Sequence, residues 1–262
     1  RSCLQFFNST VAPSIMEFYP EVGVTRDVNS KPDVQNEGLR GLLSVRYTLV
    51  AKDSNEDWTG EALTGWTQCG ETSAYYLYKN DNWVPMGFTY DYYVTQEQLE
   101  TVPEEERARI LMRALLLDEE QIETYAGLLT PLPQFQLDDR STERYVADCS
   151  DRRATAAVDF TATRTGFVAH TAYDQQELVF FSVPYDDGFT ATVNGVPAKI
   201  EKVDNGLMAI LVPAGEAEIQ CTYHTPGLAL SAKISLAGVA VYAVYLLLLY
   251  RKRKRNLNAK PC

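Results

Sequence analysis

The sequence predicts an α+β region, followed by an all-β antiparallel β-sandwich, then one C-terminal transmembrane helix. Three observations carry this. Short alternating apolar runs recur at roughly ten-residue spacing between about Ser141 and Tyr223. Capping signals precede a helical apolar period around residues 95–118. A charge-free stretch near the C-terminus ends in five consecutive cations. A chain of 262 residues that is 45% hydrophobic has material for a real core, which excludes wholesale disorder. The boundaries read as 1–135 for the α+β region, 140–226 for the sandwich, 228–250 for the membrane helix and 251–262 for a basic tail. The chain opens on Arg1 rather than Met, with no signal peptide before the folded part, and so reads as a fragment or a processed product.

Taken in order, residues 1–37 are polar and turn-rich, with no sustained period. Gly38 to Val50 (GLRGLLSVRYTLV) predicts a helical turn feeding a strand. After the loop KDSNEDW, the run GWTQCGETSAYYLYKNDNWVP predicts two strands, the second around Ala74–Tyr78. Thr95-x-x-Gln98 and Thr101-x-x-Glu104 are capping-box patterns, and Pro103 falls in the first turn of the second helix. That helix is expected from Glu104 to Asp118, with Ala108, Ile110, Leu111, Ala114, Leu115 and Leu117 as its apolar side. Thr130-Pro131-Leu132-Pro133 ends the α+β region, and so short a link implies that the two regions touch.

The sandwich is expected to use seven strands: 156–163, 166–173, 177–183, 189–195, 198–203, 207–212 and 216–224. Asn194-Gly195 and Asp204-Asn205-Gly206 are hairpin turns, and Pro213-Ala214-Gly215 closes another. There is no room for crossover helices between these strands, which excludes a parallel α/β arrangement.

From Ile234 to Tyr250 the chain has 17 residues without a charge, and from Leu228 it has 23 interrupted only by Lys233. At 1.5 Å per residue the longer stretch spans about 34 Å, enough for a hydrocarbon layer of about 30 Å. Lys233 lies near one end, where its stem can snorkel, and Tyr250 lies at the other boundary. A buried core helix is the competing reading, disfavoured by the cations that follow. A wall-sorting signal would need an LPxTG-like site upstream, and HTPGLAL does not supply one. By the positive-inside rule Arg251–Arg255 stays cytoplasmic and residues 1–226 face outward from the membrane.

Seven of the 24 basic residues and none of the 35 acidic ones lie after Gly227, so residues 1–226 carry 17 against 35, a balance of −18. That acidity excludes nucleic acid as a partner. The five cysteines (3, 69, 149, 221, 262) are odd in number and never in CxxC form; mostly free, buried thiols are expected. Asn8-Ser9-Thr10 fits an N-glycosylation triplet.

No nucleophile elbow, zinc-protease, P-loop or dinucleotide motif occurs. His170 and His224 lack a carboxylate or nucleophile nearby in sequence and read as structural. The pairs within Asp118-Glu119-Glu120, Asp138-Asp139 and Asp186-Asp187 read as solvated surface without calcium-loop spacing. No metal, cofactor or catalytic residue is expected from this chain. Trp58, Trp66, Trp83 and the turn 184–189 (PYDDGF) could stack on sugar rings, but large aromatics more often fill cores.

Several blocks together resemble the C-terminal part of the bacterial YfhO family of multi-spanning membrane proteins. They are FFNSTVAPSIMEFYPEVGV (6–24), LLSVRYTLV (42–50), YYLYKNDNWVPMGFTYD (75–91) and ELVFFSVPYDDGFTATVNGVPAKIEKVDNGLMAILVPAGEAEIQCTYHTPG (177–227), followed by the last helix and basic tail. The resemblance implies a GT-C-like glycosyltransferase that moves sugar from a polyprenyl-phosphate carrier to an envelope polymer such as lipoteichoic acid. The catalytic carboxylates of such enzymes belong to loops among N-terminal membrane helices that this chain lacks, so the chain alone is expected to be inactive. Its expected partners are the lipid bilayer, the rest of the multi-spanning protein upstream, and a cell-envelope glycopolymer. The alternative is a non-enzymatic, membrane-anchored β-sandwich for protein or carbohydrate binding.

Overall fold

The computed structural model describes residues 12–25, 36–53 and 64–258. Trp58, Asn8-Ser9-Thr10, Cys3 and Cys262 lie outside the described residues. The chain divides into two units, Arg1–Tyr223 and His224–Cys262.

The first unit begins with a helix not expected from the sequence. Helix α1 (Pro13–Glu21) starts on Pro13, whose fixed φ suits a first helical turn. Ile15, Phe18, Tyr19 and Val22 all face the core. Their i, i+3, i+4, i+7 spacing is the helical period itself, obscured by Pro13 and Pro20 at either end of the segment. The expected turn and strand follow as α2 (Glu37–Leu42) and β1 (Tyr47–Ala51). Asn36 caps α2 by accepting from the Leu39 N–H at 3.1 Å.

Strands β2 (Trp66–Glu71) and β3 (Tyr75–Asn80) complete an antiparallel sheet of order β1-β3-β2. Val50, Trp66 and Tyr78 fill one face of it, with Val45 beside them.

Beyond it, β4 (Tyr92–Val94) leads into α3 (Gln96–Glu100), capped by the reciprocal Thr95–Gln98 box. The second expected box does not form. Helix α4 (Glu104–Leu111) starts one residue after Pro103, and the Thr101 hydroxyl instead donates to the Gln98 carbonyl at 2.7 Å.

The helix expected to reach Asp118 stops at Leu111, and Ala114–Leu116 becomes β5. This strand pairs parallel with β4, which also pairs parallel with β6 (Thr130–Pro131). A strand covered on both faces reads as a continuous apolar run, and Ala114-Leu115-Leu116-Leu117 is one, so its pattern imitates a helix extension. Arg113, a charged residue in the segment between α4 and β5, is buried.

Helix α5 (Glu119–Tyr125) is capped by an Asp118–Gln121 box. Helices α6 (Gln134–Asp138) and α7 (Thr142–Ala154) follow, the latter capped by Ser141.

All seven sandwich strands form. They are β7 (Asp159–Thr163), β8 (Gly166–Tyr173), β9 (Glu177–Pro184), β10 (Phe189–Val193), β12 (Ile200–Val203), β13 (Leu207–Val212) and β14 (Gly215–Tyr223), with a short β11 (Val196–Ala198) added. Two antiparallel sheets result, β11-β10-β14-β8-β7 and β12-β13-β9. Asn194-Gly195 turns β10 into β11 with both residues at positive φ, as a type I′ hairpin requires.

The smaller sheet is a middle layer. Leu178 and Phe180 of β9, with Leu207 and Ala209 of β13, belong to the core shared with α1, α4 and β5. The alternate residues Val179, Phe181, Met208, Ile210 and Val212 belong to the core between the two sheets. Strand alternation thus divides LVFF (178–181) and LMAILV (207–212) between two cores, and both runs must be apolar on every position. Phe88 bridges to Phe180 by a 2.8 Å backbone bond, their rings 5.0 Å apart, so the α+β region and the sandwich touch directly.

The second unit is helix α8 (Leu228–Asn258), of which Leu228–Lys252 is long and apolar enough to cross a membrane.

Candidate functional site

A cleft of about 560 Å³ opens where α3, the β5–α5 junction and β12 meet. Its polar lining comprises Gln96, Asp118, Gln121, Tyr185, Lys199, Glu201, Lys202 and Asn205. Alternation along β12 sets its floor. Glu201 shares the inward side with Val203, so its carboxylate is almost wholly buried, while Ile200 and Lys202 lie at the rim.

Three donors converge on Glu201. The Tyr125 hydroxyl donates at 2.7 Å, the Lys199 ammonium lies at 2.9 Å, and the Gln121 amide donates at 3.3 Å. Burial alone would push this carboxyl up, but the bonds from Tyr125, Lys199 and Gln121 outweigh it and hold it below its ordinary value. Burial, reinforced by the bond to Glu201, pushes the Tyr125 phenol well up. The floor is therefore a fixed anion beside a phenol that keeps its proton, an arrangement that accepts and donates hydrogen bonds without moving a proton.

The rim is tied down as well. Asn205 donates to Gln96 Oε1 at 3.0 Å, and the Lys202 ammonium pairs with Glu17 of α1 at 2.5 Å. Tyr185, from the PYDDGF turn, packs beside the inter-sheet core and donates its hydroxyl to Asp187 at 3.2 Å.

Of the aromatics that could stack on sugar rings, Tyr185 alone lines this cleft among the described residues. Trp66 is buried, with the Arg40 guanidinium 4.8 Å from its ring. Trp83 donates from Nε1 to the Ser44 carbonyl at 3.2 Å under the Arg46 guanidinium. Phe189 packs edge-on against Tyr223.

The acidic pairs are largely exposed, as expected of solvated surface, and three of their members also make local structural bonds. Asp118 caps α5, Asp139 accepts from Ser141 Oγ at 2.7 Å, and Asp186 accepts from the Gly188 N–H at 2.8 Å. Cys149 and Cys221 are buried free thiols and Cys69 an exposed one. Among the described residues, no group of three His, Cys, Asp or Glu side chains could hold a metal ion.

His170 differs from its expected setting. It lies on the exposed face of β8, and the registers β7–β8 and β8–β14 bring Asp159 and Glu218 directly opposite it. Nδ1 is 2.8 Å from Asp159 and Nε2 is 3.4 Å from Glu218. Both carboxylates are remote in sequence, so no local motif signals them. Glu201 was legible in principle, because a glutamate in register with the inward Val203 of a predicted strand signals a buried charge that needs partners.

The fold and the apolar helix describe a mixed α/β and β-sheet assembly attached to a membrane-spanning segment. Residues 121–235 match the family model described as "Bacterial membrane protein YfhO". A curated relative, "Uncharacterized protein YfhO" from Bacillus subtilis (strain 168), is 29% identical over 89 residues, covering 34% of this chain and 10% of that protein. The match thus spans about a tenth of the relative's length. No solved structure matches. Residues 121–235 are thus similar to the YfhO family of bacterial membrane proteins, the same family that the sequence blocks resemble.

Proposed function

We propose that the chain is the outer domain and last helix of a multi-spanning, polyprenyl-phosphate-sugar-dependent glycosyltransferase that decorates a cell-envelope polymer. In this reading residues 1–226 lie outside the cell, the tail after Tyr250 is cytoplasmic, and the cleft positions acceptor or caps the active-site face. One observation carries it: Gln121, Tyr185, Lys199, Glu201, Lys202 and Asn205 all fall inside the family-matched segment, which runs on into α8. Amides, a carboxylate, an ammonium and one aromatic ring suit a hydroxyl-rich chain, and the fixed ionisation of Glu201 suits holding rather than bond breaking.

The test expresses the protein with the coding sequence upstream of Arg1 in membranes. Transfer of radiolabelled sugar from a polyprenyl-phosphate donor to endogenous acceptor is then followed, with and without residues 1–226. Transfer that needs both parts, and that falls on Lys199→Ala with Asn205→Ala while the protein stays folded, supports the reading. Transfer indifferent to residues 1–226 overturns it and leaves a membrane-anchored module whose work is binding or spacing.

A further inference from the structure

We infer that the five cations Arg251–Arg255 form a collar on α8 that selects anionic phospholipids from the surrounding bilayer. Helix α8 runs unbroken from Leu228 to Asn258, so these positions continue the membrane-crossing cylinder rather than hang from a loose tail. Successive helical positions turn by about 100°, so five in a row pass once around the axis and more. The segment therefore has no apolar side on which to lie flat in the membrane plane, unlike an amphipathic surface helix.

Axial position selects the partner. At about 1.5 Å per residue the five positions fall between about 1.5 and 7.5 Å beyond Tyr250. With Tyr250, the last residue of the uncharged run, at the hydrocarbon edge, a polar headgroup layer about 5–8 Å thick takes in all five positions. No acidic residue follows Gly227, so no acidic side chain within this unit can neutralise them. The counter-charge must come from outside the helix, and at that depth it is the anionic headgroup. The inference holds for whichever leaflet the tail occupies.

The experiment reconstitutes the 262-residue chain into bilayers of one part phosphatidylglycerol to two parts phosphatidylcholine and measures the lipids retained after mild detergent extraction by native mass spectrometry. The ratio of phosphatidylglycerol to phosphatidylcholine retained should exceed the bulk ratio of one to two by at least about fivefold. The enrichment should collapse in about 1 M salt, where the Debye length falls to about 3 Å. It should vanish in the variant R251Q/K252Q/R253Q/K254Q/R255Q and persist in R251K/R253K/R255K, which keeps every charge. If the five-glutamine variant does not insert, the salt arm on the unaltered chain decides the matter alone. Equal retention with and without the cations, or enrichment indifferent to salt, overturns the proposal.

Discussion

Asp204 and Leu116 exchange two hydrogen bonds. Asp204 Oδ1 accepts from the Leu116 N–H at 2.8 Å, and the Asp204 N–H donates to the Leu116 carbonyl at 3.1 Å. The clasp joins the β12–β13 turn to β5 across 88 positions of sequence. Its other carboxyl oxygen, Oδ2, is buried without a hydrogen-bond partner among the described residues. The Gly206 that follows leaves no room for a side chain, since a Cβ there would lie 2.2 Å from the Ser14 carbonyl oxygen of α1. This turn is therefore fixed from two sides.

Burial pushes the Asp204 carboxyl up to about 8, against only a partial opposing effect from the Leu116 N–H. Between about pH 4 and 8 the folded state holds this proton and the unfolded state does not. Stability from this group therefore falls as pH rises through that window and levels off above it, by at most about 1.4 kcal/mol per pH unit. Asp204→Asn keeps the acceptor for Leu116 and removes the titration. Denaturant midpoints of both proteins at pH 5 and pH 9 should show the variant gaining on the parent at pH 9. A constant difference between the two across that range would refute the assignment.

Arg113 and Asp148 form a wholly buried ion pair at 2.8 Å. Arg144 supports it at 2.7 Å, and Arg113 Nη1 also donates to the carbonyls of Gln136 and Asp139. Removing one partner of such a pair strands the other, so Arg113→Ala should cost about 3–5 kcal/mol. Arg113→Lys keeps the charge but loses the fork, and should fall between the parent and the alanine variant. Loss of the exposed Lys52–Glu71 pair, at 3.1 Å, should cost less than about 1 kcal/mol. Chemical denaturation of the three variants checks the ranking.

For His170, the hydrogen bond to Asp159 is the main cause that raises the imidazole pKa above its ordinary value, with Glu218 adding to it. A raised folded value means that the contribution is fully present below the unfolded pKa of about 6.5 and is lost as pH rises through the folded one. Asp159→Asn should bring the titration back toward 6.5, observed by NMR of the ring protons. An unchanged midpoint would mean that the Asp159 contact does not hold the proton.

At the cleft floor the Glu201 carboxyl is held below its ordinary value, so its support is present above about pH 4.5 and is lost as pH falls through the folded value. Tyr125→Phe removes a charge-assisted bond and should cost about 1.5–3 kcal/mol at neutral pH. Lys199→Ala, at a largely exposed ammonium, should cost less than about 1 kcal/mol. Thermal melts at neutral pH distinguish the two. A larger loss from Lys199→Ala would make the ammonium, and not the phenol, the main support of the Glu201 anion.

Gly38 of α2 lies against the backbone of α4. A Cβ at this position would be 2.6 Å from both the Ala108 carbonyl carbon and the Arg109 nitrogen. Backbone cannot yield as a flexible side chain can, so Gly38→Ala should destabilise by about 1–3 kcal/mol or more. A melt within a degree of the parent would show that the two helices can separate at little cost.

The strands of the sandwich were legible because they either alternate, as GFVAHTAY (β8) does, or form a short apolar run bounded by Gly and Pro, as LMAILV (β13) does. The partition of β9 and β13 between two cores was not, because a continuous apolar run does not say which elements cover its two faces. The same ambiguity turned β5 into a helix extension, since its parallel partner β4 lies about twenty residues away. Helix α1 was lost between two prolines. The cleft assembles Gln96, Gln121 and Glu201 from three elements, so only the inward phase of Glu201 along its strand could have announced it.

The middle layer has a consequence for synthesis. The β-sheet and helices before residue 135 have no complete cover until β9 and β13 arrive, because Leu178, Phe180, Leu207 and Ala209 complete their core. A ribosome adds those strands late, and only β14 and a short connection separate the end of β13 from the start of α8. The α+β segment must therefore wait, unsealed, for nearly the whole chain to emerge. Final closure and capture of the hydrophobic helix by the insertion machinery become almost simultaneous events, so slow closure would leave apolar surface exposed at the moment the chain is committed to the bilayer.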